Sequence, residues 1–239
     1  MARSVFLTAE WRFLAMLNYE VDPGLLRSLV PAGTALDYHE DKTFVSLVGF
    51  RFLRTRVRGI SIPFHTDFDE VNLRFYLRRE EAGEVRRGVC FVREIVPRRA
   101  IAQIARLVYH ERYIRLPMRH AIETGANRIR TNYQWRLKGL WNRLHAGAAG
   151  DPAYPAEGSL NQFITEHYWG YAAQPDGGTL EYRVEHAPWR AWTCTEAGFE
   201  GDAAALYGAE FAAVLKRQPD SAFIAEGSGV KVMAGVRIG

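Results

Sequence analysis

Residues 68–78 read Phe-Asp-Glu-Val-Asn-Leu-Arg-Phe-Tyr-Leu-Arg, and they alternate. Val71, Leu73, Phe75 and Leu77 share one face, while Glu70, Asn72, Arg74 and Tyr76 share the other. A period of two is the signature of an extended strand. The polar face then lines up an acid, an amide, a cation and a phenol about 6.5 to 7 Å apart. Such a row is either a solvated outer face with in-line charge pairs or the wall of a site. Alternation alone shows which residues belong together, not which face is inside.

The surrounding chain supplies partners for this strand. Trp11–Glu20 reads as a strand, and Asp22-Pro23 opens a short helix, with Asp22 as N-cap and Pro23 in the first turn. Leu36–Tyr38 and Thr43–Val57 read as a hairpin around His39-Glu40-Asp41-Lys42. The central strand covers about 64–79 and turns at Glu81-Ala82-Gly83 into a partner over about 85–95. Arg98–Tyr113 has Ile101, Ile104, Ala105 and Val108 at helical spacing, and Pro117 bars continuation.

Strands follow at about 118–123, about 127–138 and 140–145, then a Gly-, Ala- and Pro-rich loop over 147–158. Ser159 caps a helix over about 160–168. Strands at 181–185 and 189–195, a helix from Asp202 through Leu215, and strands at 223–225 and 230–238 complete the chain.

The tight turns make the pairing largely antiparallel. The expected fold is α+β: a large curved or closed, mostly antiparallel β-sheet of roughly ten strands, with about four helices packed outside. A closed sheet of that size can enclose a ligand cavity. The 239 residues are read as a single domain.

Composition narrows the function. With 48% hydrophobic and 24% charged residues the chain can bury a substantial core. Two cysteines, Cys90 and Cys194, are too few for a disulfide framework and fit a reducing, cytoplasmic setting. No metal site and no cofactor motif is expected: Gly-x-Gly-x-x-Gly, P-loop and Gly-x-Ser-x-Gly patterns are absent. Glu10 and Arg12 interrupt the early apolar run before it could serve as a signal core. No membrane insertion is expected, because no apolar run reaches the length of a span.

Residues 51–143 carry 21 Lys and Arg against 9 Asp and Glu, whereas the flanks carry 10 against 18. A basic middle can attract nucleic acid or an anionic surface. It can equally reflect arginines on outer strand faces, as the alternation of Arg54, Arg56 and Arg58 and of Arg128 and Arg130 suggests. No aromatic-plus-basic RNA motif accompanies it, so a nucleic-acid partner ranks last.

Candidate chemistry concentrates in two places. On the polar strand face, Glu70 is an acid/base if burial raises its pKa, Arg74 offers a planar fork for a carboxylate, and Asn72 and Tyr76 stand beside them. The second place is the aromatic stretch Tyr168-Trp169-Gly170-Tyr171 together with Val184-Glu185-His186-Ala187-Pro188-Trp189. There His186 is either a proton carrier near neutral pH or a histidine fixed under a tryptophan-rich shell. The other histidines, among them His65, His110, His120 and His167, lack ligand spacing.

Phe68-x-Glu70-Val71-Asn72-Leu73-Arg74-x-Tyr76 resembles the hallmark strand of the uncharacterised YqjF-like family. Leu29-Val30-Pro31, Phe163-Ile164-Thr165-Glu166-x-Tyr168 and His186-x-Pro188-Trp189 resemble it too. That family in turn resembles the acetoacetate decarboxylase superfamily, which implies a cone-like closed sheet around a central cavity. Decarboxylases of this kind form a Schiff base on a lysine whose pKa is lowered by a second cation, an example that general accounts of covalent catalysis give for this enzyme.

The matching stretch here is Glu111 followed by Leu116-Pro117-Met118-Arg119. The resemblance places Met118 at the Schiff-base lysine and Arg119 at the second cation. It also places Glu70 at a cavity carboxylate. A thioether cannot form an imine. Of the four lysines, Lys42 falls in a turn, Lys216 at a helix end and Lys231 at the start of the last strand; Lys138 is within reach of a cavity but carries no motif.

The expectation is therefore a cavity for a small carboxylate or keto acid. Glu70, His186 and Tyr76 are its candidate proton-handling groups, and Arg74, Asn72, Arg119, Met118 and Tyr168 its candidate ligand contacts. A non-catalytic ligand-binding module is the first alternative and an anionic-surface binder the second. Assembly into a homo-oligomer is compatible with either.

Overall fold

A computed structural model describes residues 3–98 and 112–238. Fifteen strands occur among these residues. The first six are β1 (Val5–Val21), β2 (Ala35–Leu36), β3 (Thr43–Val57), β4 (Ile60–Ser61), β5 (Phe68–Glu81) and β6 (Glu84–Val96). Then come β7 (Tyr113–Arg115), β8 (Met118–Gly125), β9 (Arg128–Leu137), β10 (Leu140–Ala149) and β11 (Trp169–Ala173). The last four are β12 (Thr179–His186), β13 (Ala191–Glu200), β14 (Ser221–Met233) and β15 (Val236–Ile238).

The helices are short: α1 (Pro23–Leu26), running into a 3-10 turn, α2 (Leu160–Thr165), α3 (Ala203–Tyr207) and α4 (Ala209–Leu215). Three start where capping chemistry says they should. Asp22 accepts from Gly24 N, Ser159 from Gln162 N and Asp202 from Ala205 N.

Seven strands close into a ring. The order β14-β1-β3-β5-β6-β11-β12 returns to β14 because β12 pairs it directly, Val184 facing Val232. All neighbours are antiparallel except β6 and β11. β14 serves two sheets. Thr193 and Ala191 of β13 pair with Phe223 and Ala225 in its first half, and β12 takes Val230–Val232 in its second. From this fork the order β13-β10-β9-β8 continues as an outer sheet. Its Ile129, Tyr133, Trp135 and Leu144 pack in one core with Val71, Leu73, Phe75 and Leu77 of β5 and with Phe211 and Leu215 of α4.

That packing fixes which face of β5 points where. The four apolar residues are fully buried. At about 1.5 to 3 kcal/mol each they match a domain's whole net stability, so a one-residue slip is excluded. Gly49 permits the outer sheet to lie this close, since a Cβ there would sit 2.7 Å from Tyr133 Cδ2. Asp69, also facing outward, ties the layers together through His120 at 2.9 Å, with its strand neighbour Arg51 at 3.3 Å.

The opposite faces of the ring strands line its interior, but not by simple alternation. In β1 the inward residues are Ala9 and Trp11, then Leu14 and Met16. The switch from odd to even falls at Phe13, whose φ is 57°, where the β1–β3 register shifts. In β14 the switch from Phe223 and Ala225 to Val230 and Val232 spans Gly227, φ 80°. In β6 it falls at Val92, where Arg74 pairs with Phe91 although Leu73 pairs with Arg93. Those in β1 and β6 are bulges that add a residue, and all three re-aim the rest of the strand; across Gly227 the β1–β14 register is unbroken.

Several expectations need correction. β2 pairs with β5, not β3, because the β3–β5 ladder ends at Val45 and Phe75 and leaves Leu77 and Arg78 of β5 to take Leu36 and Ala35. Residues 147–149 belong to β10, whose pairing with β9 continues to Ala149. Trp169–Ala173, assigned no element from the sequence, is a strand. The helix from Asp202 through Leu215 is split at Gly208, φ 99°. Strands expected at 223–225 and 230–238 begin as one, β14, with β15 separate. The helix expected over Arg98–Tyr113 lies outside the described residues except at its ends, and Tyr113 there opens β7, parallel to β6.

Candidate functional site

The ring encloses a cavity of about 120 Å³, small beside sites for drug-sized ligands. Its wall is mostly aromatic and aliphatic: Trp11, Phe50, Phe52, Phe68, Phe91, Trp169 and Trp189 among others. Set into that wall are Glu70, Asn72 and Arg74 from β5, Glu94 from β6, Tyr113 from β7, and His167 and His186. β5 thus turns its polar face inward and its apolar face to the outer sheet, so both faces are covered.

Glu70 accepts from Asn72 Nδ2 at 2.9 Å and from the Tyr113 hydroxyl at 3.1 Å. Its burial pushes the carboxyl up to about 7; those two hydrogen bonds and the charge of Arg74 pull the other way without cancelling it. Arg74 donates through Nη2 to Ile164 O at 3.4 Å and lies 3.8 Å from Met16 Sδ. Among the described residues no carboxylate pairs with it.

Four residues of the wall each carry a buried polar atom without a hydrogen-bond partner among the described residues: Trp11 Nε1, Asn72 Oδ1, Arg74 Nε and His167 Nδ1. Each such orphan costs about 1 to 3 kcal/mol, and their gathering around one cavity calls for an explanation. No three metal-ligating His, Cys, Asp or Glu side chains converge among the described residues.

Not every residue singled out from sequence reaches the cavity. His186 borders it, but as a fixed ring. It stacks on Trp189 at 4.0 Å, meets Tyr168 at 4.8 Å, and donates Nδ1–H to Ala187 O at 2.9 Å. Burial and the charge of Arg74 push its pKa down to about 4, against the raising effect of that bond. It is therefore neutral near pH 7. Tyr168 stands beside this ring and is not part of the wall.

Tyr76 is buried, with its hydroxyl 2.5 Å from Ser46 Oγ, which itself donates to Asn18 Oδ1 at 2.6 Å. The Tyr76 proton therefore points into that chain. Met118 and Arg119 are on β8, which among the described residues pairs only with β9 in the outer sheet. Met118 packs into the core between the layers, and Arg119 is exposed over Trp141 at 4.1 Å, donating to Gln134. The resemblance placed them at a cavity's lysine pair; the topology puts them in the outer sheet, outside the cavity lining.

Lys42, Lys138, Lys216 and Lys231 are all exposed and none borders the cavity. Conversely, Glu94, Tyr113 and His167 border the cavity without having been singled out. Glu94 pairs in register with Asn72, a signal hidden by the β6 bulge.

Comparison with known proteins agrees with this architecture. The family model DUF2071, described as an uncharacterized conserved protein, matches residues 8–229. The uncharacterized protein YqjF of Bacillus subtilis (strain 168) is 25% identical over 186 residues, 75% of this chain and 72% of that one. Acetoacetate decarboxylase from Legionella pneumophila superposes with a TM-score of 0.67 at 13% identity, over 99% of this chain and 88% of that one. The enduracididine biosynthesis enzyme MppR complexed with pyruvate gives 0.68 at 13% identity, over 99% and 91%. These superpositions show an acetoacetate decarboxylase-like fold.

Proposed function

For this chain, which belongs to the DUF2071 family of uncharacterized conserved proteins, we propose that the ring cavity binds a small carboxylate or keto acid. Arg74 is the clamp and Glu70 the proton carrier. One observation carries the reading: inside an apolar ring, a cation without a carboxylate partner among the described residues stands on the same strand face as a buried acid held near pH 7. A ligand carboxylate supplies the anion that Arg74 lacks. A group titrating near the working pH is suited to both giving and taking a proton. The pyruvate bound by MppR, on the same fold, is a ligand of this size and charge.

The chemistry is proton transfer rather than imine formation. Each lysine is exposed and none lines the wall, and Met118, in the outer sheet, has no amine to offer. That same observation favours a second reading, a binding module that holds its ligand without turnover. Steady multiple turnover of any small acid eliminates it.

The test is a thermal-shift screen of small carboxylates and β-keto acids on the wild type and on Arg74→Ala. Stabilisation of the wild type alone supports the clamp. Equal stabilisation of both, or none by any acid, overturns it.

A further inference from the structure

His167 is an ionisable wall residue that the Arg74–Glu70 reading leaves unused. It follows α2 and precedes β11, and its ring lies between Tyr76, 4.7 Å away, and Phe163, 4.8 Å away. Its Nε2 is 3.1 Å from Asp37 Oδ2, with both side chains almost wholly buried, 1% and 2% exposed. A carboxylate can only accept, so Nε2 carries the hydrogen. In the neutral ring Nδ1 is then a bare acceptor, and Nδ1 has no partner among the described residues.

Asp37 is held in place in turn. It accepts from Tyr38 N at 3.1 Å, its own amide donates to Tyr76 O at 3.0 Å, and Arg87 Nε lies 3.3 Å from Oδ2. The charged groups facing the ring are Asp37, Arg74 and Arg87. Burial, with the two arginines, lowers the imidazole pKa, while Asp37 raises it. The free base is therefore the form present at neutral pH.

We infer that Asp37 and His167 form a second proton-handling pair of the cavity, with His167 Nδ1 the base for a keto acid held by Arg74. The step rests on the Arg74–Glu70 reading. His167 takes a proton from the carbon beside the keto group. The C–H electron pair becomes the carbon–carbon double bond of an enol. The carbonyl π pair takes the proton of protonated Glu70. The products are enol, imidazolium and carboxylate, and the reverse restores all three. Asp37 is a positioning residue: it fixes the tautomer and faces the imidazolium charge as that forms.

The test uses pyruvate as probe. Loss of its methyl signal in D2O is followed by proton NMR, and its binding is measured separately by calorimetry. His167→Gln keeps a donor for Asp37 and removes the base. The wild type should bind and exchange pyruvate. His167→Gln should bind it comparably and exchange it about 100-fold or more slowly. In Asp37→Asn, nitrogen-15 spectra of the ring should show hydrogen moving from Nε2 to Nδ1, with slower exchange at unchanged affinity.

Wild-type exchange by His167→Gln overturns the inference, as does binding without exchange by the wild type. So does an Nδ1–H signal in the wild-type ring spectrum, a readout that needs no variant to fold. Failure of the wild type to bind pyruvate is a separate result: it overturns this inference, while the Arg74 reading is decided by the full screen of acids.

Discussion

Glu70→Gln should make the protein more stable at pH 8 and nearly neutral in effect at pH 4.5. Its carboxyl is raised from 4.5 to about 7 in the folded state, chiefly by burial. The folded state therefore binds more protons than the unfolded chain between those values. Stability contributed by protonated Glu70 is fully present below the unfolded pKa and is lost as pH rises through the folded one. At 1.36 kcal/mol per pH unit the loss approaches about 3 kcal/mol above pH 7.

A neutral amide of the same shape does not incur it. Its oxygen can still accept from Asn72, and the Tyr113 hydroxyl must find a new role, which returns about 1 kcal/mol of cost. Urea unfolding at pH 5, 6, 7 and 8 is the assay. The wild-type curve should fall relative to that of Glu70→Gln by roughly 2 to 3 kcal/mol from pH 5 to pH 8. Parallel curves would mean that Glu70 ionises at its ordinary value, and the proton-carrier reasoning would go with them.

Three further outcomes are expected from the geometry. His186, with its pKa lowered to about 4, should show a ring resonance that does not titrate between pH 5 and 8; a midpoint near 6.5 would contradict the buried, stacked placement. Borohydride reduction in the presence of pyruvate should leave the protein mass unchanged, whereas an adduct on any of the four lysines would restore imine chemistry. Gly49→Ala should cost about 1 to 3 kcal/mol, because the new methyl meets the Tyr133 ring; calorimetry showing wild-type stability would mean that the outer sheet is less tightly seated than described.

The strand alternation of β5 was readable because nothing interrupts it. Glu70, Asn72 and Arg74 stay in phase from one end of the ring wall to the other, so the sequence could group them. What it could not supply was the inside. That depends on β9, β10 and α4 covering the Val71 face, contacts made across more than fifty residues of chain. The breaks in alternation hid more. At Phe13, Val92 and Gly227 a single residue re-aims the remainder of its strand, so counting by twos from Trp11 sends Leu14 outward and counting from Glu94 sends Phe91 outward.

The Asp37–His167 contact joins positions 130 apart with no local pattern at either end. Met118 and Arg119 are misplaced for an opposite reason. A local motif in line with a lysine pair carries no location of its own, and here β8 is drawn into the outer sheet.

The charge asymmetry of the sequence has a structural counterpart in Glu181, and it gives a last prediction. Arginines of the basic middle pair with acids of the flanks: Arg54 with Glu10, Arg87 with Asp37, Arg130 with Glu196 and Arg143 with Glu200. Most of these pairs are exposed and contribute little to stability. Glu181 differs because it is fully buried on β12 and receives Arg79 and Arg86 from β5 and β6 and Arg3 from the segment before β1. Arg3 and Arg86 in addition flank the ring of Trp169, 5.0 and 4.6 Å from its centroid.

Removing the acid leaves three guanidinium groups converging on a neutral amide. Losing one partner of a buried ion cluster costs about 3 to 5 kcal/mol. Glu181→Gln should therefore destabilise far more than Glu196→Gln, whose pair with Arg130 is more than half exposed on both sides. Equal, small losses in denaturant would show that the arginines find water instead. In that case the basic middle would have cations to spare for an anionic surface, and salt-dependent association with vesicles or nucleic acid would become the reading to pursue.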